Sequence, residues 1–165
     1  MSAAVDLGFR VVTEWIFQAN PKKYDLLAAA VSGADQRWSM KVHRQDVAVG
    51  DRVWFLVAGV QAGLYLVGTV TSPVYEIALD DGFGKWKVDV SYDAFVEPPL
   101  LRPELLAVPE LKAFHPLRGI MGTNFRVPEP IAAILNSLAK GRLKPIAGAT
   151  GTASPAHTAF RPASC

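Results

Sequence analysis

An α+β domain, a sheet with helices packed on it, is the fold class the sequence predicts, and three stretches predict it. Residues 52–57 and 64–70 are β-branched and aromatic runs joined by a short Gly-containing connection at 58–63, the pattern of an antiparallel hairpin. Residues 85–95 alternate, with Trp86, Val88, Val90 and Tyr92 on one face, as a half-buried strand does. Residues 130–140 carry Ile131, Ile134, Leu135 and Leu138 at helical spacing and stop at Gly141.

The remaining elements follow in chain order. Residues 1–12 show no period and read as a loose leader. Residues 13–19 form a strand with Trp15, Phe17 and Ala19 on one face and Ile16, Gln18 and Asn20 on the other. Asn20-Pro21 stops it, because proline has no donor for a ladder. Asn20 is thereby left at a strand end, where a side chain can face a cleft. Asp25 caps a helix from Leu26, with Leu26, Leu27, Ala30 and Val31 as its apolar stripe and Gly33 as its close. Residues 45–49 make a short turn before the Gly50-Asp51 corner. Ser72-Pro73 breaks the second hairpin strand, residues 74–79 give a further strand piece, and Asp80 to Gly84 is a turn by composition. Glu97-Pro98-Pro99 is expected to end the alternating strand. Pro103 opens a short helix through Leu106, another helical turn follows at 108–114, and the Gly-rich run 118–124 leads into Phe125-Arg126-Val127. From Gly141 the composition shifts to Gly, Ala, Ser, Thr and Pro, which cannot bury enough apolar area to offset ordering entropy. Residues 13–140 therefore read as one domain and 141–165 as a low-complexity, disordered tail.

The bulk numbers narrow the partners. A chain of 165 residues with 50% apolar content supports one cored domain. A formal charge of +2 is too small for a protein that lives on non-specific phosphate attraction, so nucleic-acid binding requires a local patch. The one cysteine, Cys165, has no internal partner, which suits a reducing, cytoplasmic setting. No secretory leader pattern and no apolar run of spanning length are present, so no membrane partner is expected. Three scattered histidines and no cysteine cluster leave no metal-ligand set, and no cofactor is expected.

A patch of the required kind lies just before the hairpin, where Trp38 stands close to Lys41, His43 and Arg44. A flat apolar ring beside cations is what a nucleobase on a phosphate backbone would want. Five motifs in this order, WIFQANP from Trp15, WSMKVHR from Trp38, VGDRVWF from Val49, AGLYLVG from Ala62 and GTNF from Gly122, resemble the EVE domain, a member of the PUA-like superfamily. The resemblance spans residues 13–138. It implies a PUA-like mixed β-barrel with helices packed around it, binding DNA or RNA through a pocket for one flipped, modified base. EVE domains are similar to YTH domains, whose cage for N6-methyladenine has an Asn at the end of the first strand and a Trp-Ser pair after the first helix; Asn20 and Trp38-Ser39 match those positions. Some bacterial EVE domains are joined to restriction nucleases and read modified cytosine. No nuclease domain follows here, which makes a separate effector enzyme a candidate partner.

Each residue has a plainer alternative. Trp38 is the expected stacking ring; stacking is worth roughly 1–3 kcal/mol per base, while a methyl adds only about 0.8 kcal/mol, so discrimination also needs a closed pocket. A core aromatic is the other fate of such a residue. Asn20 has donor and acceptors for a Watson–Crick edge, or makes an Asn-Pro turn with Pro21. Ser39 contributes a backbone group or hydroxyl to the base, or caps a turn. Ala58 and Gly59 let a base approach the backbone, or serve the hairpin loop. Gly122, Thr123, Asn124 and Phe125 form the opposite wall, with backbone N–H groups for an oxygen, or an ordinary loop with Phe125 plugging the barrel. Lys41, His43, Arg44 and Arg118 are phosphate contacts, or solvated surface charges.

The function expected is a non-enzymatic reader of 5-methylcytosine, 5-hydroxymethylcytosine or N6-methyladenine by base flipping. Two alternatives stand beside it. One is an enzyme on nucleic acid, with Asp80, Asp81, Lys85 and Lys87 as a nuclease-like set, although an Asp-Asp-Gly turn explains them more simply. The other is a small-molecule or protein-binding module on the same barrel.

Overall fold

Among the described residues, eight strands form one mixed sheet: β1 (Glu14–Ala19), β2 (Arg37–Ser39), β3 (Arg52–Val57), β4 (Gly63–Val70), β5 (Tyr75–Glu76), β6 (Trp86–Leu101), β7 (Asn124–Val127) and β8 (Leu143–Pro145). The structure is a computed structural model that describes residues 12–33, 36–119 and 121–146. The predicted leader through residue 11 and the predicted tail from residue 147 lie outside the described residues.

The strand order is β2-β6-β4-β3-β1-β7, with β5 and β8 added along β6. β1 and β3 run parallel, from Glu14 opposite Arg52 to Ala19 opposite Val57, and the other pairs are antiparallel. Register breaks between Phe55 and Leu56 on β3, and between Leu64 and Leu66 and between Val67 and Gly68 on β4, each add local twist, and the sheet curls into a half-barrel. At Gly68 a Cβ would lie 2.0 Å from the Ser91 carbonyl oxygen, so only glycine permits this approach of β4 to β6.

Both faces of the sheet are covered, because successive strand residues point to opposite sides. Inside the curl, Trp15, Phe17, Trp38, Val53, Phe55, Leu66, Val88, Val90 and Tyr92 form one core, closed by Leu26 and Ala30 of α1 (Leu26–Ser32). Outside it, Ile16, Trp54, Leu56, Leu64 and Val67 pack beneath α2 (Arg102–Leu106), α3 (Pro109–Lys112), a 3-10 turn (His115–Arg118) and α4 (Glu129–Ala139). Trp54 and Phe55 are thus both fully buried, on opposite faces. No described helix is long and apolar enough to cross a membrane.

Three local expectations are corrected. β6 does not stop at Glu97-Pro98-Pro99 but continues to Leu101. The prolines fall in the register break between the Leu66–Phe95 and Leu64–Leu100 pairs, where the β4 ladder needs no N–H from them. The fold also runs past residue 140. β8 pairs with Ala94, Phe95 and Val96, and Ile146 is buried in the inner core. Backbone pairing to a free edge of β6 recruits a stretch whose composition carries little apolar signal. In α1, Asp25 accepts the Ala28 N–H and Gly33 closes the helix with φ 75°, as read, but Val31 is 72% exposed and the buried stripe narrows to Leu26 and Ala30.

Candidate nucleic-acid interface

β2 is three residues long and alternation divides them: Arg37 exposed, Trp38 inside the curl, Ser39 on the other side. Trp38 is only 7% exposed, and its walls are rings. Phe55 lies 5.2 Å away between ring centres, Phe17 5.7 Å, and Tyr24 stands edge-on at 5.9 Å. The indole Nε1 donates to the Tyr92 hydroxyl at 2.9 Å, which is 3.2 Å from the Tyr24 hydroxyl. Tyr24 covers the box from the segment between β1 and α1, where the Lys23 and Tyr24 N–H groups both donate to the Asn20 carbonyl.

Ser39 is engaged at both of its polar ends. Its hydroxyl accepts from Lys87 Nζ at 3.0 Å and its carbonyl from Asn124 Nδ2 at 3.0 Å. Lys87, 2% exposed, also donates to Asp81 Oδ1 at 2.8 Å. That bond, helped by the Phe83 N–H, holds the Asp81 carboxyl below its ordinary range against an opposing cost of burial. Lys87 Nζ is thus shared between the Ser39 hydroxyl and the Asp81 carboxylate. Asp80 accepts from the Gly82 and Gly84 N–H groups, which lower its pKa, and so holds the turn. Asp80, Asp81 and Lys87 of the expected nuclease-like set are thus engaged in a turn and an ion pair. Among the described residues no group of three His, Cys, Asp or Glu is placed to hold a metal.

Asn124 closes the sheet. It is 3% exposed on β7, one edge of the sheet, and besides donating to Ser39 on β2, the other edge, it accepts the Lys41 N–H at 3.1 Å. This pins the chain that follows β2. That chain carries three of the four predicted phosphate contacts, and Lys41, His43 and Arg44 all line one open cleft of about 710 Å³ together with Val42, Gln45, Asp46, Val74 and Trp86. The Arg44 guanidinium lies over the Trp86 ring, 4.5 Å from its centre. His43 holds a left-handed backbone, φ 61°, rare outside glycine though tolerated by His. Its ring packs 5.2 Å from Trp15 and its Nδ1 lies 3.3 Å from Asp46 Oδ2, so it anchors the loop as well as lining the cleft.

The other predicted residues fall into two groups. Asn20, Pro21, Ala58 and Gly59 gather at the ends of the parallel strands β1 and β3. There the Ala58 N–H donates to the Ala19 carbonyl, a Cβ on Gly59 would meet Pro21 at 3.6 Å, and Asn20 Oδ1 accepts the Lys22 N–H. Gly122 and Thr123 join β1 to the pinned loop: Gln18 donates its backbone N–H to the Thr123 carbonyl and its side-chain amide to the Gly122 carbonyl, and Asn124 follows. Gly122 has φ 139°, and a Cβ there would come within 2.7 Å of the Phe125 ring. Phe125 itself packs partly into the outer core, as expected. Arg118 is exposed on the 3-10 turn whose Leu117 enters that outer core, and it does not line the cleft. Trp38 and Asn20 do not line it either.

Sequence reasoning missed Trp86, read only as part of one face of the half-buried strand 85–95 and found 38% exposed at the start of β6. The available signal was its place between Lys85 and Lys87 at the mouth of a strand. It also missed Tyr24, for which no local signal exists.

The curled mixed sheet, the helices on its outer face and the Trp-bearing edge strand decide the comparison. The fold is the PUA-like fold of EVE and YTH domains. The chain resembles Rpa0253 of Rhodopseudomonas palustris at 15% identity over 78% of this chain and 94% of that one, with a TM-score of 0.66. It resembles the human THYN1 protein, solved in complex with 5-methylcytosine containing DNA, at 11% identity over 78% and 98% of the two chains, TM-score 0.62. A YTH domain of Zygosaccharomyces rouxii MRB1, solved with N6-methyladenosine RNA, shares the fold at 11% identity over 83% and 95%, TM-score 0.51. No family model and no curated protein matches the chain.

Proposed function

We propose that this EVE-like domain is a non-enzymatic nucleic-acid-binding module that accepts one flipped, modified base: a methylated or hydroxymethylated cytosine, or N6-methyladenine. The observation that carries the reading is the gathering of Lys41, His43 and Arg44 on one open cleft, on the loop that directly follows the strand bearing Trp38 and its aromatic box. Cations on the cleft hold the phosphates and set the register, and the box supplies the apolar faces for a ring.

In this reading the base takes the place of Tyr24 against Trp38. Tyr24 already presents a ring to the indole, and its hydroxyl bond to Tyr92 is between neutral groups, worth about 0.5–1.5 kcal/mol net. A stacked base gains roughly 1–3 kcal/mol. Asn20, at the end of β1, exchanges its bond to the Lys22 N–H for the base edge. Asn124 acts one step away, by fixing the Lys41 backbone. Extrusion from a duplex costs a few kcal/mol and least for unpaired bases. With a net charge of only +2 the domain favours single strands, or a separate effector enzyme that holds the duplex.

The experiment is a titration of single-stranded oligonucleotides, DNA and RNA, identical except for one central base: plain, 5-methylcytosine, 5-hydroxymethylcytosine or N6-methyladenine. One modified base is expected to bind at least about tenfold tighter than its plain parent, a difference of ~1.4 kcal/mol. Equal affinity across the panel, or strand cleavage in the presence of magnesium, overturns the reading.

A further inference from the structure

The cleft itself holds a feature that a phosphate-binding surface does not need. Of the chain's four tryptophans, Trp15 and Trp54 are fully buried and Trp38 nearly so, whereas Trp86 opens onto the cleft with one face under the Arg44 guanidinium. Its backbone is fixed: the Trp86 carbonyl accepts the Met40 N–H at 2.9 Å, and the residue pairs with Glu76 of β5. The indole is thus carried by a hydrogen-bonded strand, whereas the arginine above it lies on the loop that follows β2. A guanidinium over an exposed ring is held weakly; its bond to a phosphate is charge-assisted and bidentate, and stronger.

We infer that Trp86 is a stacking platform for an unpaired nucleotide next to the flipped base, with Arg44 leaving the indole for that nucleotide's phosphate. The inference rests on the proposal that the domain binds nucleic acid, and adds to it a second base-binding position outside the Trp38 box. The space suits a nucleotide, since 710 Å³ lies within the roughly 300–1,000 Å³ of pockets that hold small organic ligands. The charge suits it too: Lys41 and Arg44 face one anion, Asp46, whose carboxylate is already turned to His43. A phosphorylated peptide would use the cations but leave the indole face unused. Because ring stacking is indifferent to base identity, this position adds affinity for single strands and no preference among sequences.

The test uses Trp86→Ala, Trp86→Phe and Arg44→Gln in the full chain, titrated with plain and modified single-stranded oligonucleotides and with a modified mononucleoside. Trp86→Ala is expected to weaken both oligonucleotides by the same factor, roughly 5- to 150-fold, the range of one base–aromatic stack. Nucleoside affinity stays unchanged and Trp86→Phe recovers most of the loss. Arg44→Gln is expected to weaken oligonucleotide binding and to lower the salt slope by about 0.7, one phosphate's share on a single strand. If the parent domain binds plain and modified strands equally but Trp86→Ala still weakens both, base reading fails and the platform stands. If Trp86→Ala leaves oligonucleotide affinity as it was, or if the parent domain binds no oligonucleotide at all, the platform is overturned.

Discussion

Asn124 Nδ2 donates to the Ser39 carbonyl at 3.0 Å, joining β7 to β2, the two edges of the curled sheet. The other end of the same amide accepts the Lys41 N–H. One side chain thus stands in for the backbone ladder that a fully closed barrel would have there, and it sets where the cationic loop begins. Removing it strands a buried carbonyl and a half-buried N–H. Asn124→Ala is expected to cost about 1–3 kcal/mol per stranded group. The check is urea unfolding: a lower midpoint at unchanged slope. Asn124→Asp keeps the acceptor for Lys41 but turns an oxygen toward the Ser39 carbonyl, and should not recover the loss.

Asp81 and Lys87 make stability depend on pH in a defined direction. The Lys87 hydrogen bond depresses the folded-state pKa of Asp81, so its contribution is present above the ordinary carboxyl range and disappears as pH falls through the lowered value. Because the Asp81 side chain is 32% exposed, solvent screening keeps the effect modest. Asp81→Asn, which leaves Lys87 buried beside Ser39 without its carboxylate, is expected to be less stable than the parent at neutral pH. Urea midpoints of the two proteins, followed downward from about pH 7, should draw together as pH falls through that lowered value. A gap that stays constant through the acid range would mean the ion pair is not its source.

Tyr24 supplies a third prediction, on access. Edge-on to Trp38 and bonded to Tyr92, it covers the box. Tyr24→Ala should raise quenching of tryptophan emission by acrylamide above the baseline set by Trp86, the ring already open to solvent. It should also tighten binding of a modified nucleoside, because the occupant that the base displaces is gone. If quenching rises but affinity falls, Tyr24 is a wall of the pocket and not its stand-in occupant.

How far the sequence could be read depended on whether a feature was local. The hairpin of β3 and β4, the Asp25 cap and the α4 stripe each state their signal within a dozen residues, and the structure has them within a residue or so of the expected bounds. Prolines 98 and 99 argued for a strand end, and were overruled because a register break set elsewhere in the sheet removed the demand on their nitrogens. Alternation named the face Trp86 shares with Val88 and Val90, but not where the cover over that face stops. The Asn124–Ser39 contact bridges 85 positions and exists only once six strands have curled, so no inspection of GTNF could supply it. The cationic loop was legible as chemistry; which rings face it was not.

Trp38 shows why the choice of substitution matters for testing the base pocket. It is enclosed by Phe17, Phe55 and Tyr24, and truncating such a residue to alanine costs about 3–5 kcal/mol. Loss of binding in Trp38→Ala would then report unfolding as readily as lost stacking. Trp38→Phe keeps a flat ring and forfeits the bond from Nε1 to the Tyr92 hydroxyl, at a cost of about 1 kcal/mol. Trp38→Leu fills much of the same space with no ring face. Compared with each other, the two variants isolate the ring: at unfolding midpoints matched by urea titration, Trp38→Phe should bind the preferred modified oligonucleotide within a few-fold of the parent. Trp38→Leu should lose roughly 5- to 150-fold, the worth of one stacked base. Equal affinity of the two would leave Trp38 as a core residue and move recognition wholly onto the cleft, where Trp86→Ala would then carry the entire base-stacking loss.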